Sequence, residues 1–340
     1  MKKTAVLLLA YGGPDSLDDV PAYLRDVRGG QPVSQILLDE TIRRYRLIGG
    51  RSPLLDITRR LASKLQSAID LPVYVGMRHW HPYIAETAQE MMCDGIDHIV
   101  AICLAPHYSS MSIGVYRKRL DEAIALCHCE EHRETESNDA TKQSPKWNLE
   151  IASQRPLAMT IPTFVFIDSW HTQARYIEGI ANNVRVALAQ LSSDAIIIFT
   201  AHCLPVSVRE PYESQLRETA RLVAHNLGLR EDRWMLCYQS KPRASVDWLE
   251  PQIENVVPQL ARDGEKHLVI APIGFLADHL EVLFDIDIAA QDLARENGAR
   301  LVRTPMLNDS DALVNALAEL VEERVTNHVS RITGDVIRDA

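Results

Sequence analysis

Seven short runs of almost uninterrupted apolar residues do most to constrain what this chain can become. They are TAVLLLA (4–10), VYVG (73–76), HIVAICLA (98–105), TFVFID (163–168), AIIIFTA (195–201), WMLCYQ (234–239) and HLVIAPI (267–273). A strand with one wet face alternates apolar and polar residues; these do not, so they predict strands buried on both faces. Such strands belong in parallel sheets covered by helices. Helical patterns lie between them. Residues 54–69 carry apolar side chains at 54, 57, 61, 65 and 69, and 82–95 begins with Pro and ends with Gly. Residues 174–191 and 312–325 continue the alternation, which predicts an α/β architecture. No run approaches the ~20 apolar residues that cross a bilayer. The apolar core of 6–13 is also too short for a secretory signal, so a cytoplasmic chain is expected.

At 340 residues the chain has room for about two domains. The segment CEEHRETESNDATKQSPKWN (129–148) is polar and nearly free of aliphatic residues, and reads as an exposed loop. It divides the chain into an N-terminal unit at 1–155, with an inserted polar loop at 127–160, and a C-terminal unit at 160–305. A last helix within 306–340 is expected to pack back toward the first unit. The formal net charge of −10 argues against sequence-independent nucleic-acid binding, which needs a dense basic surface. Six scattered cysteines in a chain of this length read as reduced thiols rather than a disulfide framework.

The two halves echo each other. VLLLAYGGP and IIIFTAHCLP are each an apolar strand ending in a polar ring residue and a proline turn. Ligands of open α/β sheets bind at the carboxyl ends of strands. The echo therefore points Tyr11 and His202 into one cleft. A strand-end histidine often does no more than bond a loop carbonyl. GFLADHLEVLFDID (274–287) also leaves a strand end, and a helix from Asp278 would put Asp278, Glu281 and Asp285 on one face. A neutral imidazole opposite carboxylates suits a divalent cation or a proton relay. The donor set is wrong for a closed zinc site, so any metal site would be open and transient.

At these residues the sequence resembles the ferrochelatase family. FTAHCLP is similar to that family's F-S-A-H-S-L-P, and GFLADHLEVLFDID to G-F-x-x-D-H-x-E-x-L-Y-x-x-D. YRLIGGRSPL (45–54), GMRHWHP (76–82), LAPHYSSMSIGVY (104–116), YQS (238–240) and PMLNDS (305–310) follow in the family's order, so the resemblance spans about residues 4–325. It implies two similar Rossmann-like domains, each a parallel sheet flanked by helices, around a porphyrin cleft, as in class II chelatases. It implies insertion of Fe²⁺, as substrate, into a porphyrin, with no required cofactor and no nucleotide. His202 and Glu281 match the metal-site pair. Tyr11, Arg28, Arg44, Tyr45, Ser52 and Tyr116 match porphyrin-contacting positions, with Tyr11 at the place of an axial tyrosine. Asp278, His279 and Asp285 would support the pair. The implied partners are porphyrin and iron, with transient contacts to neighbouring haem-pathway enzymes, for a monomer or weak dimer.

Departures narrow these expectations. Cys203 stands for the motif serine and reads as a packed thiol; Phe284 stands for a tyrosine. Cys127, His128, Cys129 and His132 offer only two thiolates, too few for the four that a [2Fe–2S] cluster normally needs. His81, His107 and His171 are assigned packing or loop hydrogen bonds. Tyr11 and APHYS are more like enzymes that metallate coproporphyrin III than those that use protoporphyrin IX. The extra carboxylates of coproporphyrin suit Arg28, Arg44 and Arg46. The rival readings are a protoporphyrin IX enzyme, a chelatase for a sirohydrochlorin-type tetrapyrrole, and a non-enzymatic binder of metal or tetrapyrrole.

Overall fold

The computed structural model describes residues 3–134, 162–191, 194–242 and 245–336. Its strands are β1 (Thr4–Ala10), β2 (Val73–Met77), β3 (His98–Cys103), β4 (Thr163–Ile167), β5 (Ile196–His202), β6 (Trp234–Gln239), β7 (His267–Ala271) and β8 (Arg300–Arg303). The helices are α1 (Val20–Val27), α2 (Gln35–Leu47), α3 (Leu54–Ile69), α4 (Ile84–Cys93), α5 (Ile113–Glu134), α6 (Ala174–Leu188), α7 (Tyr212–Leu227), α8 (Ile253–Arg262), α9 (Leu280–Leu283), α10 (Gln291–Glu296) and α11 (Asp311–Val336). The seven apolar runs are seven of the eight strands.

Two parallel sheets result, in the orders β2-β1-β3-β4 and β6-β5-β7-β8. The orders are the same once each half is counted from its own first strand. The likeness reaches into the loops. The Pro82 carbonyl accepts from the amide of Met77 at 2.7 Å, and the Pro251 carbonyl from that of Tyr238 at 2.8 Å. Each contact closes the turn between the second strand of its sheet and the following helix. β1 and β5 are central strands, which accounts for their unbroken apolar character: every residue from Ala5 to Ala10 and from Ile196 to Ala201 is buried.

Three of the buried clusters flank the sheets. Leu7 and Leu9 face α4 and α5, while Ile198 and Ile270 face α8 and α10. Between the sheets lies a common core. Val6, Leu8, Val100 and Ile102 of the first sheet and Ile197, Phe199 and Val269 of the second join side chains of α3, α6, α7 and α11.

The boundary expected near 155–160 is wrong. β4 pairs with β3, His98 against Thr163, so the first sheet is completed after the polar segment. A parallel edge strand needs only a crossover, and the polar segment lies within that crossover rather than between domains. The helices are then exchanged. α6 follows the first sheet but packs against α7 and β7, and α11 follows the second sheet but packs against α3 and β3. The loop expected at 129–148 begins later, because α5 continues to Glu134. A charged run without Gly or Pro fits a solvated helix end as well as a loop. Residues 135–161 lie outside the described residues, as do the side chains of Cys127, His128, Cys129 and His132.

Candidate active site

His202 is the last residue of β5, at the carboxyl edge of the second sheet. Two neighbours fix its backbone. The Tyr212 hydroxyl donates to its carbonyl at 3.1 Å, and Gly274 crosses behind it so closely that a Cβ there would lie 2.6 Å from that of Ala201. The His202 Nδ1–H donates to Glu281 Oε2 at 2.9 Å, and each side chain stays about a third exposed (31% and 34%). Burial disfavours charge on this imidazole, yet the Glu281 carboxylate outweighs it and raises His202 above its ordinary range. Burial equally opposes the charge of Glu281, which His202 holds down at about 2. The pair therefore keeps the carboxylate ionised and the imidazole basic.

Glu281 comes from an irregular helix. His279 is extended (φ −159°, ψ −175°), α9 makes one turn, and Asp285–Ala290 is a π-helical turn that leads into α10. The amide of Ala289 reaches back five residues to the carbonyl of Phe284 at 2.9 Å. Gln239 supports the first turn. Its Nε2 donates to the Glu281 carbonyl at 2.8 Å, and its Oε1 accepts from the Thr200 hydroxyl at 2.7 Å. Asp285, one turn on, accepts a hydrogen bond from Ser240 and meets Arg44 Nη1 at 3.4 Å. Burial raises its carboxyl to about 6, with Glu281 adding to the rise and Ser240 and Arg44 opposing it.

The expected single stripe of three carboxylates does not form. The extended His279 ends the helix before Asp278, whose carboxylate turns away to Asn308 Nδ2 at 2.7 Å and Arg303 Nη2 at 3.2 Å. His279 donates through Nδ1 to the Ala277 carbonyl at 3.0 Å and packs on Phe275, and burial lowers its basicity.

The first sheet supplies the facing wall. Tyr11 follows β1, 41% exposed and packed at a tilt against His79, 4.7 Å between ring centroids. Desolvation pushes its hydroxyl up to about 12, with Glu281 adding and Arg78 opposing. Leu280, next to Glu281, packs against Tyr23, Tyr45 and Trp80, and Arg44 meets Asp285, which puts the two strand ends in one cleft. Arg78 lies over the rings of both Tyr11 and Tyr116, and His79 Nδ1 is 2.7 Å from Asp26. Tyr45, Ser52 and Tyr116 are buried within this wall (2%, 5% and 4% exposed), Ser52 directly beneath Gly13. Arg28 caps α1 and is exposed. Arg44 is already engaged: beyond Asp285, it pairs with Glu40 at 2.9 Å and lies 4.8 Å over the Phe284 ring.

Cys203 is fully buried, with its sulfur accepting from Gln252 Nε2 at 3.1 Å. His107 bonds Thr219, His171 bonds Ser169 and Glu218, and His81 bonds Glu86. Sequence reasoning passed over Arg78, His79, Gln239, Ser240 and Arg303. Gln239 and Ser240 stood in the quoted YQS string at a strand's end, and Arg78 and His79 in GMRHWHP, and those positions were the available signal. Among the described residues, no group of three or more His, Cys, Asp or Glu could hold a metal ion, and no helix is long and apolar enough to cross a membrane.

Two like-ordered parallel sheets, with a histidine–carboxylate pair at the strand ends of one and a tyrosine at those of the other, define a chelatase of the two-lobed kind. The fold is that of SirB from Bacillus subtilis with Fe3+, at a TM-score of 0.56 over 96% of this chain and 98% of the other with 11% identity. CbiX, the terminal enzyme of sirohaem biosynthesis in denitrifying bacteria, superimposes at 0.51 over 94% and 98%, with 13% identity. The ferrochelatase family model matches residues 3–139 and 136–325. A ferrochelatase of Deinococcus radiodurans is 38% identical over 335 residues, 95% of this chain and 96% of the relative. The coproporphyrin III ferrochelatase 2 of Bacillus cereus is 31% identical over 343 residues, 97% of each. The chain belongs to the ferrochelatase family, metal chelatases that insert ferrous iron into a porphyrin in haem biosynthesis.

Proposed function

We propose that this chain metallates coproporphyrin III with Fe²⁺, and that His202 and Glu281 handle the metal and the displaced protons. The carrying observation is the 2.9 Å His202–Glu281 pair, part exposed at the strand ends. Two pyrrole N–H protons leave as one Fe²⁺ enters. With Nδ1–H committed to Glu281, Nε2 is the nitrogen left to meet substrate. Its raised basicity favours taking up a pyrrole proton over ligating iron. Glu281 stays ionised and offsets the charge of the arriving cation. Asp285, at about 6, is the carboxylate better suited to hold a proton near neutral pH.

Tyr11 takes the opposite face of the macrocycle. As a phenol pushed up to about 12, it becomes a phenolate only when a metal cation is bound against it. Tyr45, Ser52 and Tyr116 form the wall behind the macrocycle. Arg28 is free for a propionate, and Arg44 becomes so by exchanging Asp285 for one. The relatives named coproporphyrin III ferrochelatases and the tyrosine at position 11 support this choice of porphyrin. No cofactor enters this scheme. We place the protein in the cytoplasm as a monomer or weak dimer, with transient contacts to neighbouring haem-pathway enzymes.

The test compares coproporphyrin III and protoporphyrin IX with Fe²⁺ under anaerobic conditions. A higher kcat/KM for coproporphyrin III is expected. Preference for protoporphyrin IX overturns the substrate assignment, and a single equivalent of complex without turnover makes the protein a binder.

A further inference from the structure

The residues that carry Glu281 and Asp285 are held at both ends by one guanidinium. Arg303, the last residue of β8, has a side chain only 15% exposed. Its Nε and Nη2 meet the two oxygens of Asp287 at 2.6 and 2.9 Å, and Nη2 also meets Asp278 Oδ1 at 3.2 Å. Its Nη1 donates to the Thr304 carbonyl at 3.1 Å, so the head is fixed to its own backbone as well. Asp278 precedes α9 and Asp287 lies inside the π turn. Glu281 and Asp285 fall between them.

A second set of contacts closes the clamp. The Asp278 amide donates to Asn308 Oδ1 at 2.8 Å while Asn308 Nδ2 donates back to the Asp278 carboxylate at 2.7 Å. The Asn308 amide donates to the Leu276 carbonyl at 2.7 Å. Asn308 adopts φ +49°, a left-handed conformation that asparagine tolerates better than most side chains. The loops 274–279 and 304–310 are thereby stitched together beneath the helix. None of these groups reaches the cleft pair itself. Their geometry can matter to it only through the backbone of 278–287.

We propose that Arg303 is a positioning residue for metal insertion, which sets the π turn so that Glu281 meets His202 and Asp285 meets Ser240. This rests on the reading of Glu281 given above. A π turn carries one more residue than the α-helical path, so losing it rotates the turn before it, which carries Glu281, by roughly 100° relative to α10. Asp285 stands at the first residue of the π turn. A guanidinium spans two carboxylates because it is a flat fork with donors on three edges, whereas an ammonium is a compact point charge. Charge alone is therefore insufficient at this position.

The experiment measures kcat and KM with coproporphyrin III and Fe²⁺, and thermal unfolding, for Arg303→Lys and Arg303→Gln. The charge-balanced Arg303→Gln/Asp287→Asn variant leaves Asp278 with Asn308, and so guards against unfolding from orphaned carboxylates. Arg303→Lys is expected to lose about tenfold in kcat, with porphyrin KM within about threefold of the native value. At assay temperatures well below its unfolding midpoint, a group that only stabilises the fold would leave kcat per folded molecule unchanged. Native kcat in any folded Arg303 variant overturns the proposal. If Arg303→Lys and both Gln variants fail to fold, Asp287→Asn reads the same loss with the arginine intact, and native kcat there is equally fatal. His202→Ala measured alongside separates the two readings: an active His202→Ala fails the site assignment, while an inactive one beside an active Arg303→Lys fails only this inference.

Discussion

At the scale of single residues, the proposed chemistry rests on a pair whose members each change the other's protonation. His202→Ala is expected to keep the fold and lower kcat by about 10²–10⁴-fold, the usual range for a lost acid–base group. Circular dichroism with a chelation assay decides it, and near-native turnover would be fatal to the assignment. Glu281→Gln removes the charge that makes His202 basic, so turnover should fall far more than porphyrin affinity; fluorescence quenching titration measures the latter. Asp285 gives a pH signature. Its folded value of about 6 exceeds the ~3.9 of an unfolded aspartate, so folding favours its protonated form. Stability from this group is present below about pH 4 and is lost as pH rises through 6. Asp285→Asn should therefore raise Tm more at pH 7.5 than at pH 5, and equal shifts at both would contradict a buried charge. His202 was legible because it stands one residue past a recognisable apolar run, and Glu281 because it lies in the acidic motif that follows another. Asp278 was misread because its partners, Asn308 and Arg303, are 25 or more positions away, and no local period reports that His279 is extended.

At the scale of elements, the strands were legible and the small irregular pieces were not. β8 escaped because RLVR carries an arginine at each end, one of them the Arg303 that pairs inward. α2 escaped because Ile36, Leu37 and Leu47 are exposed, which blurs its helical period. The π turn has no sequence period at all. What makes the site possible at this level is close backbone approach. Gly274 brings the exit of β7 against the tip of β5, and Gly13 brings the exit of β1 against Ser52, where a Cβ would again sit at 2.6 Å. Gly274→Ala is expected to cost about 1–3 kcal/mol by overpacking, read from denaturant midpoints, and to displace His202. A variant of native stability would show that the strand ends can separate at no cost.

At the scale of the molecule, the two halves are Rossmann-like domains that repeat a topology and share one core. Their common core runs through both sheets, and Leu317 of α11 is fully buried within it, in the same cluster as Leu8 and Ile102. Leu317→Ala should cost about 2–5 kcal/mol, and calorimetry should show one transition for both halves rather than two. Two resolved transitions would mean that the shared core does not couple them. The exchange of α6 and α11 also bears on how the chain comes into being. A nascent polypeptide emerges from its N-terminus, at roughly 5–20 residues per second. The inner face of β1 and β3 is made well before α11, which with α3 covers it and starts at Asp311. On the ribosome that face therefore waits, covered only in part by α3, until the second half has been made. A nascent chain stalled before that point should bind a hydrophobic dye and a holdase chaperone, and release both once α11 has emerged.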